Sequence, residues 1–269
     1  MSLTDFMRNK KLNLKFQETF ICPKFSDELP ILAIPRTKNY TLIGTAFDYL
    51  LRFYISRNSL VVNNNWICEE VKEFAKYEDD LKEIVEKIIN NAKNSFDNYI
   101  KTGLLTEDII RSVIQLAKLD GIFRSGGLLP NSIDIEQNDI EDLKKLYSII
   151  PHDIFKTNKQ CILNPSFGTA SLMVGGADAD LILGDTLIDI KTTSSLKFPR
   201  SYFLQLIGYY ILNDLAGIEQ VKNKIKIKRL GIYYSRHSYL FSFNVSDVIS
   251  KKTYKEFKEM FIDIAQGFN

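Results

Sequence analysis

Residues 176–193, GADADLILGDTLIDIKTT, constrain this chain more than any other segment, because they set carboxylates and a lysine within an otherwise apolar hairpin. Residues 181–183 and 186–190 read as two short strands joined by Gly184-Asp185, a Gly-first pair suited to a two-residue type II′ turn. Counting outward pairs Leu183 with Thr186, Ile182 with Leu187, Leu181 with Ile188, Asp180 with Asp189, and Asp178 with Lys191. Side chains alternate along a strand, so these four charged residues share one face.

The pair flanking such a turn is hydrogen-bonded, which puts Asp180 and Asp189 at a non-hydrogen-bonded position with Cα atoms roughly 4.5 Å apart. Like charges there destabilise a sheet. Leu181, Leu183, Ile188 and Ile190 occupy one face, and Ile182 and Leu187 the other, so both faces read as buried and water is not there to relieve the repulsion. Either one carboxyl keeps its proton or a cation sits between the two. Two hard oxygen ligands suit Mg²⁺, which retains several waters and takes one or two carboxylates together with substrate phosphate. Lys191 points to the same place, where it can orient an attacking water or neutralise charge developing on phosphorus. The set fits phosphodiester hydrolysis, and the alternative is a frayed hairpin end with a weak Asp178–Lys191 surface pair.

Asp180 followed by Asp189-Ile190-Lys191 resembles the core of the PD-(D/E)XK nuclease superfamily. Gln205-Leu206-Ile207-Gly208-Tyr209 resembles the QxxxY helix motif of its RecB-like and Cas4-like branch. Gly44-Thr45-Ala46-Phe47-Asp48 resembles the branch's GxxxH motif, with Asp48 where the family usually has histidine. The resemblance implies an α/β fold: a restriction-endonuclease-like α-β-β-β-α-β core with a mixed sheet flanked by helices. The elements expected are a helix near 42–57, strands near 169–175, 178–183 and 186–193, a helix near 200–215 and a strand near 227–235. Residues 1–269 are expected to form a single nuclease domain with a helical insertion at about 60–160, on which the resemblance is silent.

By resemblance, Asp180 and Asp189 are metal ligands, helped by the Ile190 carbonyl, and Lys191 positions the water. Asp178 is the reserve carboxylate. Gln205 contacts water or phosphate near Lys191, and Tyr209 supports substrate or the lysine. Gln205 and Tyr209 lie four apart on one helix face, which is also what a packing helix would show. Asp48, at the flank of the stripe Ile43, Phe47, Leu50, Leu51 and Tyr54, reads equally as a third ligand or an exposed helical aspartate. With aspartate in place of histidine the site is all-oxygen and favours Mg²⁺, with Mn²⁺ as a substitute. The three cysteines, Cys22, Cys68 and Cys161, form no CxxC pair, and no iron-sulfur cluster is expected.

The function implied is a Mg²⁺-dependent deoxyribonuclease acting in defence against foreign DNA or in DNA repair, with DNA as partner ahead of RNA. The alternative, motivated by Asp48, is a catalytically weak DNA-binding or scaffold subunit of a larger complex. Arg52 and Arg57 read as solvated charges or phosphate contacts. Lys222, Lys224, Lys226, Lys228 and Arg229 would place a row of cations along a strand, for DNA backbone or for edge protection. His152 and His237 lack a paired spacing for zinc, and neither Ser166, Ser171 nor Cys161 sits in a nucleophile motif.

The 35 basic and 33 acidic residues give a net charge of +2, so any nucleic-acid surface is local. No apolar run is long enough for a bilayer and residues 1–11 lack a signal-peptide core, so a cytoplasmic protein is expected. Apolar spacing from Glu69 to Ile89 predicts a helix, Gly103 a break, and Thr106-Glu107-Asp108 a capped restart that stops near Gly121. A loop at Arg124 to Gly127 and at Pro130-Asn131 follows. This insertion reads as a substrate-selecting or protein-partner module, or as a lid that completes the core. Residues 250–268 read as a closing amphipathic helix.

Overall fold

A computed structural model of the chain describes residues 3–62, 66, 79–125, 134–219, 221–222 and 224–267. Cys68, the first part of the helix expected from Glu69, and the part of the expected loop from residue 126 on lie outside them; Arg124 and Ser125, expected in that loop, are helical.

Six strands form one mixed sheet in sequential order: β1 (Leu60–Val61), β2 (Gln160–Leu163), β3 (Leu181–Leu183), β4 (Thr186–Lys191), β5 (Arg229–Tyr234) and β6 (Tyr239–Asn244). The β1/β2 and β4/β5 pairs are parallel and the rest antiparallel. Each parallel joint needs a crossover, because a tight turn reverses the chain. Among the helices are α1 (Leu3–Met7), α2 (Lys10–Thr19), α3 (Tyr40–Asn58), α4 (Asp79–Thr102), α5 (Glu107–Ser125), α6 (Gln137–Ser148) and α7 (His152–Phe155). They continue with α8 (Thr169–Met173), α9 (Arg200–Ala216), α10 (Val245–Val248) and α11 (Lys251–Gln266). The first crossover carries α4 to α7, and the second is α9.

The three hairpin pairs next to the turn are those counted from the sequence, Leu181 with Ile188, Ile182 with Leu187 and Leu183 with Thr186; the ladder ends there, so Asp180 and Asp189 are neighbours beyond it rather than a paired rung. Gly184 has φ +63°, while Asp185 is not among the residues with positive φ, as a type II′ turn requires. Both faces of the sheet are covered. Leu181, Leu183, Ile188 and Tyr233 pack into a core with α3, α5 and α6, whereas Ile182, Leu187, Leu230 and Ile232 pack into a second core with α1, α2, α9 and α11.

Helix α9 is buried nearly all round, including Phe203, Leu206, Ile207, Tyr209 and Ile211. At roughly 1.5–3 kcal/mol for each fully buried large apolar side chain, this packing fixes α9 against the sheet more strongly than its polar residues alone could. Gly208 lets α1 approach closely: a Cβ would meet Leu3 Cδ2 of α1 at 2.9 Å, and the Leu3 side chain would have to shift.

The strand expected near 169–175 is instead helix α8, and the strand that pairs with β3 lies earlier, at β2. Gly168, at φ +53°, starts the helix, and Ser171 Oγ donates to the Ala177 carbonyl at 2.6 Å, closing the segment on itself rather than on a ladder. The lysine row is not a strand either. β5 begins only at Arg229; Lys228 pairs with Asp185 at 3.1 Å and Lys224 with Asp214 at 3.7 Å. Gly103 does end α4, at φ +73°, and Thr106 Oγ1 accepts from the Ile109 amide at 3.4 Å to cap α5, which runs on past Gly121 to Ser125.

The extended segment between α2 and α3 is held by a buried fork. Arg236 Nη1 and Nη2 donate to the two carboxylate oxygens of Asp142 at 2.8 and 3.0 Å, and Arg236 Nη1 also donates to the Ala33 carbonyl at 3.0 Å. No helix among the described residues is long and apolar enough to cross a membrane.

Candidate active site

A cavity of about 610 Å³ opens where the end of β4 meets the start of β3, between α3 and α9. Asp48, Asp120, Asp178, Asp180, Asp189, Ile190, Lys191, Gln205 and Tyr209 line it, together with Gly44, Asn164 and the Gly175-Gly176 turn. All the residues named from the sequence as metal or catalytic candidates therefore meet in one cavity.

The carboxylates are placed by the hairpin. Asp189, inside β4, is 2 % exposed. Asp180, one residue before β3, accepts a 2.6 Å hydrogen bond at Oδ2 from the Ile190 amide, and its own carbonyl accepts from the Asn164 amide at 2.9 Å. Asp178 does not continue the pairing to Lys191; it forms an isolated bridge with Ser166 and sits exposed at the rim.

Burial is the main cause that pushes the Asp180 carboxyl up, to about 8, with the charges of Asp189 and Asp48 adding to it. Burial raises Asp189 as well, against the pull of Lys191. Two unit charges about 4 Å apart repel by roughly 4 kcal/mol at an effective dielectric constant of about 20, so the pair calls for a proton or a cation.

Lys191 joins the hairpin to α9. Its Nζ forms an ion pair with Asp189 Oδ2 at 2.7 Å and donates to Gln205 Oε1 at 3.1 Å. Gln205 Nε2 donates in turn to Tyr209 Oη at 3.0 Å. The ammonium also sits 4.9 Å from the centre of the Tyr202 ring, and Tyr209 stacks on Phe167. Burial disfavours the Lys191 charge, yet Asp189 and Asp180 outweigh it and hold its pKa above the ordinary lysine value. The two carboxylates thus favour the charged form of Lys191. Burial, followed by the same two carboxylates, keeps the Tyr209 phenol protonated.

Asp48 enters from α3. Its Oδ2 is ion-paired with Arg52 Nη2, while its Oδ1 is buried with no hydrogen-bond partner. Arg52 is not a solvated charge: it is 2 % exposed, and its guanidinium stacks on the Tyr49 ring at 4.3 Å. Arg57 serves α4, where its Nη1 donates to the carbonyls of Tyr99 and Ile100 at the helix end.

Asp120, Asn164 and Thr192 are among the lining residues that escaped the sequence reading. Asp120 comes from α5 in the insertion, is 1 % exposed and accepts from Tyr49 Oη at 2.9 Å. Asn164 stands at φ +48° before Pro165, and Thr192, whose Oγ1 accepts from Ser235 Oγ at 3.0 Å, follows the lysine. The positive φ of Asn164 has no signal in sequence beyond asparagine's tolerance of it.

The remaining nucleophile and imidazole candidates are structural. Ser171 is engaged within its own loop, burial raises the Cys161 thiol, His152 Nδ1 meets Tyr54 Oη at 2.5 Å, and His237 bridges the carbonyls of Pro30 and Ser194.

The donor set fits a hard divalent cation. Five aspartates line the cavity against one lysine, and Asp48 Oδ1 is buried without a hydrogen-bond donor. Among the described residues, however, no three His, Cys, Asp or Glu side chains converge tightly enough to enclose a metal by themselves. Such a site would leave coordination positions to water and substrate, as Mg²⁺ prefers. No family model, curated protein or solved structure matches the chain.

Proposed function

We propose that this protein is a Mg²⁺-dependent nuclease that hydrolyses DNA phosphodiester bonds, on a PD-(D/E)XK core of the RecB-like and Cas4-like kind. The observation that carries this reading is the continuous polar chain Asp189–Lys191–Gln205–Tyr209 in a cavity shared with Asp180 and Asp48. The order α3, β2, β3, β4, α9, β5 supports it, since it is the α-β-β-β-α-β order of that superfamily, with β1 and α4 to α7 inserted after α3 and the short α8 between β2 and β3.

Asp180 and Asp189, with the Ile190 carbonyl and Asp48 beside them, would hold Mg²⁺, which when bound supplies Lewis-acid polarisation of a phosphoryl oxygen and a more acidic water. Without a cation, a cavity so rich in aspartate would repel a phosphodiester. Lys191 holds a positive charge at the place where negative charge grows on phosphorus. Gln205 fixes the ammonium through Oε1, and Tyr209 fixes the Gln205 amide so that this oxygen faces the lysine. Defence against foreign DNA and DNA repair are the settings in which such an activity fits.

A DNA cleavage assay tests the reading: wild type, Asp189→Asn and Lys191→Ala are incubated with linear, circular, single-stranded and duplex DNA in Mg²⁺ or Mn²⁺. Cleavage by wild type alone is expected. Absence of cleavage on every substrate, or equal cleavage by Lys191→Ala, refutes it; a parallel RNA panel decides the sugar.

The Asp48–Arg52 pair favours one second reading, a nuclease-fold DNA-binding or scaffold subunit, because it occupies an oxygen that a third ligand would offer. Calorimetric titration separates the two: Asp189-dependent binding of Mg²⁺ supports the enzyme, and its absence supports the scaffold.

A further inference from the structure

We propose that the helical insertion completes the active site, with Asp120 of α5 as a positioning residue that aims Asp48 into the cavity through Tyr49 and Arg52. This rests on the nuclease reading and adds a role for a segment on which the resemblance is silent.

Four side chains carry it. Asp120 Oδ1 accepts from Tyr49 Oη at 2.9 Å, the Arg52 guanidinium lies 4.3 Å from the centre of the Tyr49 ring, and Arg52 Nη2 pairs with Asp48 Oδ2. Tyr49, Arg52 and Asp120 are at most 2 % exposed, so the chain from α5 to the cavity is buried. A buried guanidinium must be compensated, and here the charges of Asp48, Asp120 and Asp180 all act on it.

The consequence is geometric. An aspartate and an arginine four residues apart on an exposed helix are free to meet through either carboxylate oxygen. With the guanidinium fixed against the Tyr49 ring, and that ring fixed by Asp120, Arg52 engages Oδ2 and leaves Oδ1 without a hydrogen-bond partner. Asp48 and Asp120 both line the cavity, so Asp120 also adds negative charge that attracts a divalent cation. A side chain needed only to join α3 to α5 would not need to be anionic at a cavity wall.

The test measures Mn²⁺ affinity by calorimetry, and cleavage rate against Mn²⁺ concentration, for the full-length wild type, Tyr49→Phe, Asp120→Asn and Asp189→Asn. Tyr49→Phe loses a single hydroxyl, and Asp120→Asn keeps the shape and the acceptor while removing the charge. Each is expected to weaken Mn²⁺ binding about tenfold, with the maximal rate at saturating Mn²⁺ falling less than threefold. A purely structural role would lower thermal stability without moving the half-saturating Mn²⁺ concentration. If Asp189→Asn abolishes binding while Tyr49→Phe and Asp120→Asn bind as wild type does, this inference is overturned and the nuclease reading stands. If wild type binds no Mn²⁺, or Asp189→Asn binds it equally, both are overturned. Where Asp120→Asn proves unstable, Tyr49→Phe decides the matter alone.

Discussion

Lys191 Nζ stands 2.7 Å from Asp189 Oδ2 while donating at 3.1 Å to Gln205 Oε1, so one ammonium ties the hairpin to the crossover helix. Its charge is held by the carboxylates on one side and its direction by the amide on the other. That division of labour ranks the effects of substitution.

Lys191→Ala is expected to lower DNA cleavage by about 100-fold or more, the usual cost of removing a preorganised electrostatic group. Gln205→Ala, which leaves the ammonium in place but undirected, should cost about tenfold, and Tyr209→Phe, which removes one net hydrogen bond of about 1 kcal/mol, about fivefold. Single-turnover rates at saturating Mg²⁺ check the order. A Tyr209→Phe loss larger than that of Lys191→Ala would contradict it.

The Asp180 carboxyl, at about 8 against an ordinary 3.8, gives a sign for pH dependence. Between those values the folded protein holds a proton that the unfolded chain has released, so metal-free stability is highest below this window and falls as pH rises through it. Asp180→Asn should flatten that fall and raise the metal-free Tm at pH 8, while Mg²⁺ should raise the wild-type Tm there. Thermal unfolding in EDTA across pH 4 to 9 measures this. A wild-type Tm that climbs with pH, or that Asp180→Asn leaves unchanged, would count against the crowded carboxylate pair.

The Arg236–Asp142 fork makes a separate prediction about stability. Removing one partner leaves a charge buried, so Asp142→Ala should cost about 3–5 kcal/mol in urea unfolding, whereas the paired replacement Asp142→Leu with Arg236→Met should cost much less. Equal losses in the two variants would show that local packing dominates.

The hairpin was legible because a period of two and a Gly-first turn leave one register that buries both faces, and Asp180 and Asp189 followed from it. Helix α9 was legible from the Gln205–Tyr209 motif, which put a helix near 200–215 where Arg200–Ala216 forms one. The segment 169–175 misled because a short apolar run does not distinguish strand from helix, and β2, four residues long, carries little periodicity. Asp120 and Arg52 were hidden for a different reason. Their burial depends on α3 and α5 meeting, which no local pattern encodes, and a charged residue on a helix reads by default as solvated.

The most direct measurement is anomalous X-ray scattering from crystals soaked in Mn²⁺. The account predicts an anomalous peak contacting Asp180 and Asp189, with Asp48 Oδ1 turned toward it, and no peak in Asp189→Asn crystals. A well-diffracting wild-type crystal at saturating Mn²⁺ with no peak between Asp180 and Asp189 would contradict it.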